Sequence, residues 1–350
     1  MGRHETPTNM LCMRFSALGD IAMSIPALYD ACESHPEANF IYLTRTHPAQ
    51  LFINAPRNLT VVGVDLARFK GLAGLRKLAS QLMREYRIDT VVDLHDVLRT
   101  RLLRVMLRLQ GARSASIRKG RADKRRLTRR HNKIMLQLEP TADRYVDTFR
   151  RARINASRRF RSIFPEGKGP AAAFARVSPP KTAGERWIGI APFAKHPGKI
   201  YPPEMMAEVV ERLASRPSTK IFLFGAGEKE RGVLEGWCAG KENVVNMAAA
   251  SVGLPSELAL ISHCDVVVSM DSANMHLASL AGVPVVSVWG ATHPYAGFLG
   301  FGQDTANAVQ LDMICRPCSV FGNKPCLRGD YHCLRGIQPR LIADRVERLL

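Results

Sequence analysis

The alternation of short apolar runs with longer amphipathic segments is the feature that most constrains the fold of this chain. Residues 9–16, 40–44 and 90–94 have the length and composition of buried strands, and residues 71–86 show helical periodicity. Strand, helix and strand at this spacing form βαβ units, whose parallel strands are covered by helices on both faces. The series restarts with a strand at residues 187–191. The sequence therefore predicts an α/β protein with two doubly wound domains.

Length and composition agree with a soluble globular protein of two domains. At about 150 residues per domain, 350 residues make about two. With 46% hydrophobic and 23% charged residues, a disordered, collagen-like or coiled-coil chain is excluded. Residues 164–184 are rich in Pro, Gly, Ala and Lys and form the best linker candidate. We therefore predict an N-terminal domain over residues 1–178 and a second domain over residues 179–335.

Neither a membrane span nor a secretory signal is predicted. No stretch approaches the roughly 18 unbroken apolar residues of a transmembrane helix, and residues 1–9 are polar where a secretory signal would start. Residues 1–6 fit the loose pattern for N-myristoylation, which is short enough to match by chance. Eight Cys in 350 residues do not make a disulfide scaffold. We expect a cytoplasmic protein with reduced thiols.

A large positive charge points to an anionic partner. The chain has 50 Lys and Arg against 31 Asp and Glu, which gives a net charge of +19. Basic residues crowd the stretch from Arg99 to Arg130, where Asp123 is the one acid. Nucleic acid, acidic lipid headgroups and phosphorylated substrates all fit such a charge. Nucleic acid is disfavoured, because the stretch lacks interleaved aromatic residues for base stacking and no nucleic-acid-binding signature is found.

A carboxylate follows the first predicted strand. The segment Ser16-Ala17-Leu18-Gly19-Asp20 forms a tight turn that leads into a helix. Ligands of open parallel sheets bind at the carboxyl ends of the strands, so Asp20 is placed to take a proton from an attacking hydroxyl. The alternative is that Asp20 only caps the helix by accepting from its free N–H groups.

Two loops of the second domain carry candidate ligand-binding residues. Lys199 lies in a loop after the strand at residues 187–191, where a lysine can hold a phosphate. The turn Gly225-Ala226-Gly227-Glu228 follows another strand, and its carboxylate can accept from ribose hydroxyls. The alternatives are a solvated loop for Lys199 and a glycine turn required only by backbone geometry.

The stretch from Ser269 to His276 is the most informative local pattern. A strand ends at Ser269, and a helix begins near Asp271 and Ser272. The free N–H groups and the dipole of a helix N-terminus suit a diphosphate, and the small Ser272 and Ala273 leave room for it. The alternative is an Asp cap on a core helix, with His276 merely packed.

Four cysteines, Cys315, Cys318, Cys326 and Cys333, fall close together near the end of the chain. Their first pair has the Cys-x2-Cys spacing of zinc sites, but the second pair is spaced differently. A structural zinc ion, a loop disulfide and reduced thiols all remain open at this point.

Together the motifs resemble glycosyltransferase family 9, the heptosyltransferase family of bacterial lipopolysaccharide core assembly. The resemblance runs in order from about residue 10 to residue 345, and the cysteine-bearing tail is similar to that of many members. The segments that carry it are Arg14-Phe15-Ser16-Ala17-Leu18-Gly19-Asp20 with Pro26-Ala27-Leu28, Lys199-Ile200-Tyr201-Pro202, Gly225-Ala226-Gly227-Glu228, Asp271-Ser272-Ala273-Asn274-Met275-His276 and Val288-Trp289-Gly290-Ala291-Thr292-His293-Pro294. Five such motifs in one order are hard to obtain by chance.

The resemblance implies a GT-B fold, with two Rossmann-like domains, a cleft between them, and residues 336–350 as a helix that returns to the N-terminal domain. It implies an inverting transfer of a sugar, typically from ADP-heptose. Asp20 would be the general base and Lys199 would meet the donor diphosphate. The remaining donor contacts implied by the resemblance are Glu228 (or its neighbour), Asp271, Ser272, Ala273 and His276. No cofactor is required for catalysis if Lys199 and the helix N-terminus supply the positive charge.

The basic stretch then has a use on the acceptor side. We hypothesise that residues 99–130 dock an anionic lipid A-type acceptor or the cytoplasmic face of the inner membrane. The acceptor contacts chosen from this stretch are Arg118, Lys119, Arg121, Lys124 and Arg125. A solvated charged surface is the alternative. Two other functions stay open: a nucleotide-sugar epimerase of the same fold and, more remotely, a basic nucleic-acid-binding protein.

Overall fold

A computed structural model, which describes residues 9–350, confirms the parallel-sheet α/β architecture predicted from the sequence. Among these residues the chain divides into two units. The first contains residues 9–119 and 141–160, and the second contains residues 120–140 and 161–350. The myristoylation pattern at residues 1–6 lies outside the described residues.

The first unit is built on a five-stranded parallel sheet. Its strands are β1 (Asn9–Met13), β2 (Asn39–Arg45), β3 (Leu59–Val64), β4 (Thr90–Asp93) and β5 (Arg113–Ser116). They lie in the order β3-β2-β1-β4-β5. Strand β1 is central, with Leu11 opposite both Ile41 of β2 and Val91 of β4. A central strand is buried on both faces, which is why β1 is apolar almost without interruption.

The helices in the first half of the chain are α1 (Leu18–Ser34), α2 (Thr46–Ala49), α3 (Gly71–Tyr86), α4 (Leu98–Arg108), α5 (Arg121–Thr128) and α6 (Thr141–Arg151). All except α5 belong to the first unit. Leu78 and Leu82 of α3 and Leu103 and Leu107 of α4 are buried in one core cluster with the sheet. Their three- and four-residue spacing explains the amphipathic pattern of both helices.

The second unit contains a six-stranded parallel sheet. Its strands are β6 (Arg186–Ala191), β7 (Thr219–Leu223), β8 (Val244–Asn246), β9 (Val266–Met270), β10 (Val285–Val288) and β11 (Ala308–Val309), in the order β11-β10-β9-β6-β7-β8. Its later helices are α7 (Pro203–Ala214), α8 (Gly227–Cys238), α9 (Met247–Ala250), α10 (Leu254–Ile261), α11 (Ala273–Leu280), α12 (His332–Arg335) and α13 (Pro339–Glu347). Ligands of such a sheet are expected at the carboxyl ends of its strands.

The boundary predicted between residues 178 and 179 differs from the one observed. Residues 161–178 pack within the second unit: the Ile163 N–H donates to the Leu280 carbonyl at 2.7 Å, and the Gly169 N–H donates to Ser262 Oγ at 2.7 Å. Phe174 is fully buried, with its ring centre 5.9 Å from that of Trp187. The Pro- and Gly-rich composition that suggested a linker belongs here to a packed segment.

The last helix also differs from its expected position. The apolar face of α13, including Ile342 and Val346, is buried in the core cluster of the second unit. The hydroxyl of the buried Tyr201 donates to the Ile337 carbonyl at 2.6 Å, just before the helix. Residues 336–350 therefore belong to the second unit and not, as the resemblance implied, to the N-terminal domain. Ile337, Ile342 and Val346 are buried there, whereas Leu341 is exposed.

The second half of the basic stretch, residues 116–130, contains a helix that its sequence does not indicate. Residues 116–130 lack clear periodicity, yet they contain α5, which is anchored by the buried Leu127. No helix within residues 9–350 combines the length and apolarity needed to cross a bilayer.

Candidate active site

Asp20 lies where the sequence placed it, in the first turn of α1 just beyond the carboxyl end of β1. Its Oδ2 accepts from the Ala17 N–H at 3.2 Å and forms an ion pair with Arg14 Nη2 at 2.8 Å. The Asp20 side chain is still 26% exposed. The carboxylate therefore supports the start of the helix and also remains accessible, so the two interpretations of Asp20 are compatible.

Arg14 is a residue of this site that the sequence analysis missed. Its side chain is buried, and Nη1 donates to the Leu94 carbonyl at 2.5 Å. The guanidinium also lies 5.8 Å from the centre of the Tyr145 ring. Burial lowers the pKa of Arg14, but Tyr145 and Asp20 more than offset it, so that its pKa is raised. A permanently charged arginine fixes the orientation of the Asp20 carboxylate. The only signal in the sequence was a basic residue at the end of an otherwise apolar strand.

A cavity of about 530 Å³ opens in the first unit beside this turn. Phe15 and Ser16 follow β1, Arg45 ends β2 and His95 follows β4, so polar groups converge at one sheet edge. The remainder of the wall is mainly apolar and includes Leu72, Leu75, Leu98 and Leu102, with Arg99 among them. The cavity suits a ligand that combines anionic and apolar parts.

His95 is a neutral group in the wall of this cavity. Burial lowers its pKa to about 3, and the positive charges of Arg14 and Lys119 act in the same direction. Its Nε2 lies 3.4 Å from Ser16 Oγ, and its Nδ1 accepts from the Phe15 N–H at 3.4 Å. The imidazole therefore orders the turn before Asp20 as an uncharged hydrogen-bonding group.

His95 is expected to make the first unit acid-labile. As pH falls from about 6.5 towards about 3, an unfolded His95 binds a proton that the folded one does not, so stability is lost with acidification. In the His95→Gln variant, the free energy of unfolding should fall less steeply with decreasing pH. The difference in slope should be up to about 1.4 kcal/mol per pH unit. Urea unfolding measured across this pH range tests the slope. His47→Gln, at an exposed position, is the control, and equal slopes for all three proteins would contradict the assignment.

The second unit places Lys199 against Asp271. The Lys199 Nζ lies 2.9 Å from Asp271 Oδ2, and both side chains are largely buried, at 15% and 4% exposure. The contact is an ion pair without the alignment of a hydrogen bond. The loop that carries Lys199 follows β6, and Asp271 follows β9, which is the neighbour of β6 in the sheet. Two segments that are distant in the sequence thus place the Lys199 ammonium at the carboxyl end of β9, beside Asp271.

The N-terminus of α11 lies directly after Asp271. Ser272 precedes the helix, and its Oγ is 3.2 Å from Ser269 Oγ. Ala273 is the first helical residue, and His276 is buried one turn further on. Free backbone N–H groups beside a lysine form a site for an anion such as a diphosphate. The structure therefore brings Lys199, Asp271, Ser272 and Ala273 together, and their role as donor contacts stays a prediction.

Glu228 occupies a more peripheral position. It lies in the first turn of α8, after β7, with 88% of its side chain exposed and an ion pair to Arg231 at 2.7 Å. The neighbouring Glu230 instead accepts from the Ala226 N–H at 2.7 Å and so supports the glycine turn. Glu228 is accessible to a ligand at this edge of the sheet, whereas Glu230 has a local structural role.

The five basic residues chosen as acceptor contacts do not form one element. Arg118 and Lys119 belong to the first unit, where the Arg118 carbonyl accepts from Arg144 at 2.9 Å and Lys119 Nζ donates to the Asp96 carbonyl at 3.0 Å. Arg121, Lys124 and Arg125 lie on α5 of the second unit, and Lys124 Nζ is 4.2 Å from the centre of the Phe298 ring. The basic stretch is therefore divided between the two units.

Cys315, Cys318, Cys326 and Cys333 line one small cavity of about 10 Å³. Burial raises the pKa of the Cys318 thiol and raises that of Cys333 to about 11. Among residues 9–350 no three ligating side chains are grouped closely enough to hold a metal ion. The arrangement therefore does not fit a zinc ion, which was one of the three possibilities that the sequence left open.

Arg316 connects this cysteine segment to the end of β10. Its side chain is buried and donates to the carbonyls of Gly290 at 2.5 Å and Thr292 at 2.9 Å, and also to the Leu311 carbonyl. The carbonyl contacts hold the segment after Trp289 in place. Sequence reasoning had singled out the cysteines and not this arginine.

The structure resembles solved GT-B glycosyltransferases over nearly its whole length. The glycosyltransferase family 9 protein of Veillonella parvula is 18% identical, with a TM-score of 0.73 and coverage of 98% of this chain and 97% of that one. The heptosyltransferase WaaC of E. coli, solved with ADP, is also 18% identical, with a TM-score of 0.67 and coverage of 98% and 100%.

The family follows from the sequence comparison. The model of glycosyltransferase family 9 (heptosyltransferase) matches residues 75–325, which is more than half of the chain. The lipooligosaccharide heptosyltransferase 2 of Campylobacter jejuni is 22% identical over 341 residues, covering 95% of each sequence. The chain thus belongs to glycosyltransferase family 9 and is a glycosyltransferase of the heptosyltransferase type.

Proposed function

We propose that this enzyme transfers heptose from ADP-heptose, with inversion at the anomeric carbon, to an acceptor of the lipopolysaccharide core or lipid A type. The observation that carries the proposal is that Asp271 holds the Lys199 ammonium at the N-terminus of α11, where the lysine and the free N–H groups of the helix can meet a diphosphate in a family 9 chain. The relatives named as heptosyltransferases, one of them solved with ADP, favour heptose and ADP among the possible donors.

In the proposed reaction, the Asp20 carboxylate takes the proton of an acceptor hydroxyl. The acceptor oxygen then forms a bond to the anomeric carbon as the bond from that carbon to the diphosphate oxygen breaks. ADP leaves with the electron pair of that bond, and displacement from the opposite side inverts the anomeric configuration. Asp20 suits the role of base because Arg14 fixes its orientation and its side chain remains exposed.

The developing charge on the leaving diphosphate requires stabilisation. Lys199 supplies a positive charge that Asp271 holds at the strand end, and the first N–H groups of α11 supply hydrogen-bond donors. The small side chains of Ser272 and Ala273 leave room for the diphosphate to approach these N–H groups. Glu228 is proposed to accept from ribose hydroxyls, and His276 to shape the helix behind the diphosphate from its buried position.

On the acceptor side, the cavity beside Asp20 suits an anionic glycolipid. Arg45 and Arg99 provide positive charge, and leucines provide apolar wall. Arg118, Lys119, Arg121, Lys124 and Arg125 remain the proposed further contacts, of which Arg118, Arg121 and Arg125 are exposed. A glycolipid acceptor would place the enzyme on the cytoplasmic face of the inner membrane as a peripheral protein.

A donor comparison by titration calorimetry tests this proposal. We expect ADP-heptose to bind at least about tenfold more tightly than UDP-, GDP- or dTDP-linked sugars. A tenfold difference in Kd requires that contacts to adenine and heptose add only about 1.4 kcal/mol of binding free energy. ADP alone should retain most of the affinity, since the diphosphate makes the charged contacts. Equal affinity for all four nucleotides would contradict the assignment of the donor.

A further inference from the structure

A further cavity, of about 1050 Å³, lies in the second unit, and its lining includes none of the residues assigned to the donor. It is enclosed by two segments, residues 128–133 and the cysteine loop, defined as residues 312–328. Its charged lining is strongly unbalanced, with one carboxylate, Asp312, beside His131. The cations of the lining are Arg129, Arg130, Lys133, Lys324 and Arg328. Such a surface attracts anions.

Most of this positive charge is available to a ligand. Within the described range 9–350, no ion pair neutralises Arg129, Arg130 or Lys324, and all three side chains are exposed. Arg328, by contrast, forms an ion pair with Asp330 at 3.1 Å. Two unpaired arginines on one segment and a lysine on the other therefore face the same cavity.

The two segments are tied together by Lys133. Its Nζ donates to the Cys315 carbonyl at 2.6 Å and to the Pro317 carbonyl at 2.7 Å. These two hydrogen bonds give Lys133 a structural role between the segments. Lys133 thus holds the chain segment that carries Arg129 and Arg130 next to the cysteine loop.

Large apolar side chains project from the same place. Ile314 is 98% exposed and Leu327 is 63% exposed, and both line the cavity. Ile134, Met135 and Leu136 follow the basic segment and are exposed as well. An isoleucine with almost its whole surface in water gains little from a soluble anion. Aliphatic side chains ringed by cations are typical of proteins that lie on an anionic bilayer, where the former enter the interface and the latter bind lipid phosphates.

We propose that the cysteine loop and residues 128–136 form a docking surface for acidic phospholipid bilayers. The occupant is the membrane surface and not a soluble polyanion, because the exposed aliphatic side chains stand beside the unpaired arginines. This inference rests on the proposed membrane-bound acceptor and identifies the surface that reaches the membrane. It differs from the sequence hypothesis, which assigned that task to residues 99–130.

Vesicle co-sedimentation without donor or acceptor tests the docking surface, so that a failure here leaves the proposed sugar transfer untouched. The vesicles are phosphatidylcholine alone or mixed with phosphatidylglycerol. One variant combines Ile314→Asp with Leu327→Asp, and a second combines Arg129→Gln with Arg130→Gln. The matched control combines Arg108→Gln with Leu109→Asp in the first unit, where Leu109 is 83% exposed beside an exposed arginine. Thermal unfolding of each variant confirms that it folds.

The wild type and the control should bind the acidic vesicles and bind the neutral ones at least about tenfold more weakly. The arginine variant should lose affinity for acidic vesicles by about 25-fold, at about fivefold for each cation. The aspartate variant should lose at least about tenfold. If only the arginine variant loses binding, the aliphatic side chains do not enter the bilayer, and the proposed docking surface is wrong. If only the control loses it, docking belongs to the first unit. Equal binding to neutral vesicles would also overturn the proposal.

Discussion

Asp20→Asn is expected to lower kcat by about 10²- to 10⁴-fold while the Kd for ADP-heptose stays within about twofold. The asparagine amide keeps an oxygen that can accept from the Ala17 N–H, so the start of α1 is preserved. It has no basicity, however, and cannot take the proton of the acceptor hydroxyl. Transfer measured under single-turnover conditions, together with calorimetric donor binding, separates the two effects.

Two further measurements keep this prediction specific. Asp20→Asn leaves the buried Arg14 without its carboxylate partner, so the melting temperature of the variant must be recorded. Asp123→Asn, which changes an exposed acid on α5, is the matched control and should retain full activity. A folded Asp20→Asn protein that keeps more than about a tenth of the wild-type kcat would remove Asp20 from the role of base.

Lys199→Ala is expected to weaken ADP-heptose binding by about 10- to 100-fold, the value of a charge-assisted hydrogen bond to phosphate. It should also destabilise the second unit by about 3 kcal/mol, because Asp271 is 4% exposed and loses the cation beside it. Donor calorimetry and urea unfolding measure the two effects separately. Lys195→Ala, at an exposed position in the same loop, is the control and should change neither.

The double variant Lys199→Met with Asp271→Leu distinguishes binding from folding. It replaces a buried ion pair by apolar side chains of similar length, so stability should recover largely. Donor binding should not recover, because the cation that meets the diphosphate is still missing. Recovery of both would mean that Lys199 acts only through the stability of the loop, and the donor site would have to be sought elsewhere.

Local patterns in the sequence were sufficient for most of the longer helices and central strands. Helix α3 has the predicted bounds, since its apolar positions recur at helical spacing and Arg87, with a φ of 47°, ends it. The strands β5, β8 and β11 were missed. They are short edge strands, and β5 reads Arg-Ser-Ala-Ser, which carries no apolar run. A strand at an edge is held by its neighbour's hydrogen bonds more than by its own composition.

Tertiary placement explains most of what the sequence could not predict. Asp20, Lys199 and the N-terminus of α11 follow strands, so the preference of ligands for the carboxyl ends of parallel strands was enough to place them at a sheet edge. Their roles in the reaction stay predictions. Arg14 and the cavity beside Asp20 depend on which residues of β2, β4 and α4 converge, and no local pattern records that. The packing of α13 and of residues 161–178 on the second unit likewise depends on which apolar face is left uncovered.

Product analysis with radiolabelled ADP-heptose and a heptose-free lipid A-type acceptor tests the central claim most directly. The account predicts that the label moves to the acceptor with release of one ADP per sugar, and that the new linkage has the anomeric configuration opposite to that of the donor. Label recovered as an altered nucleotide sugar, or transferred with retained configuration, would contradict it.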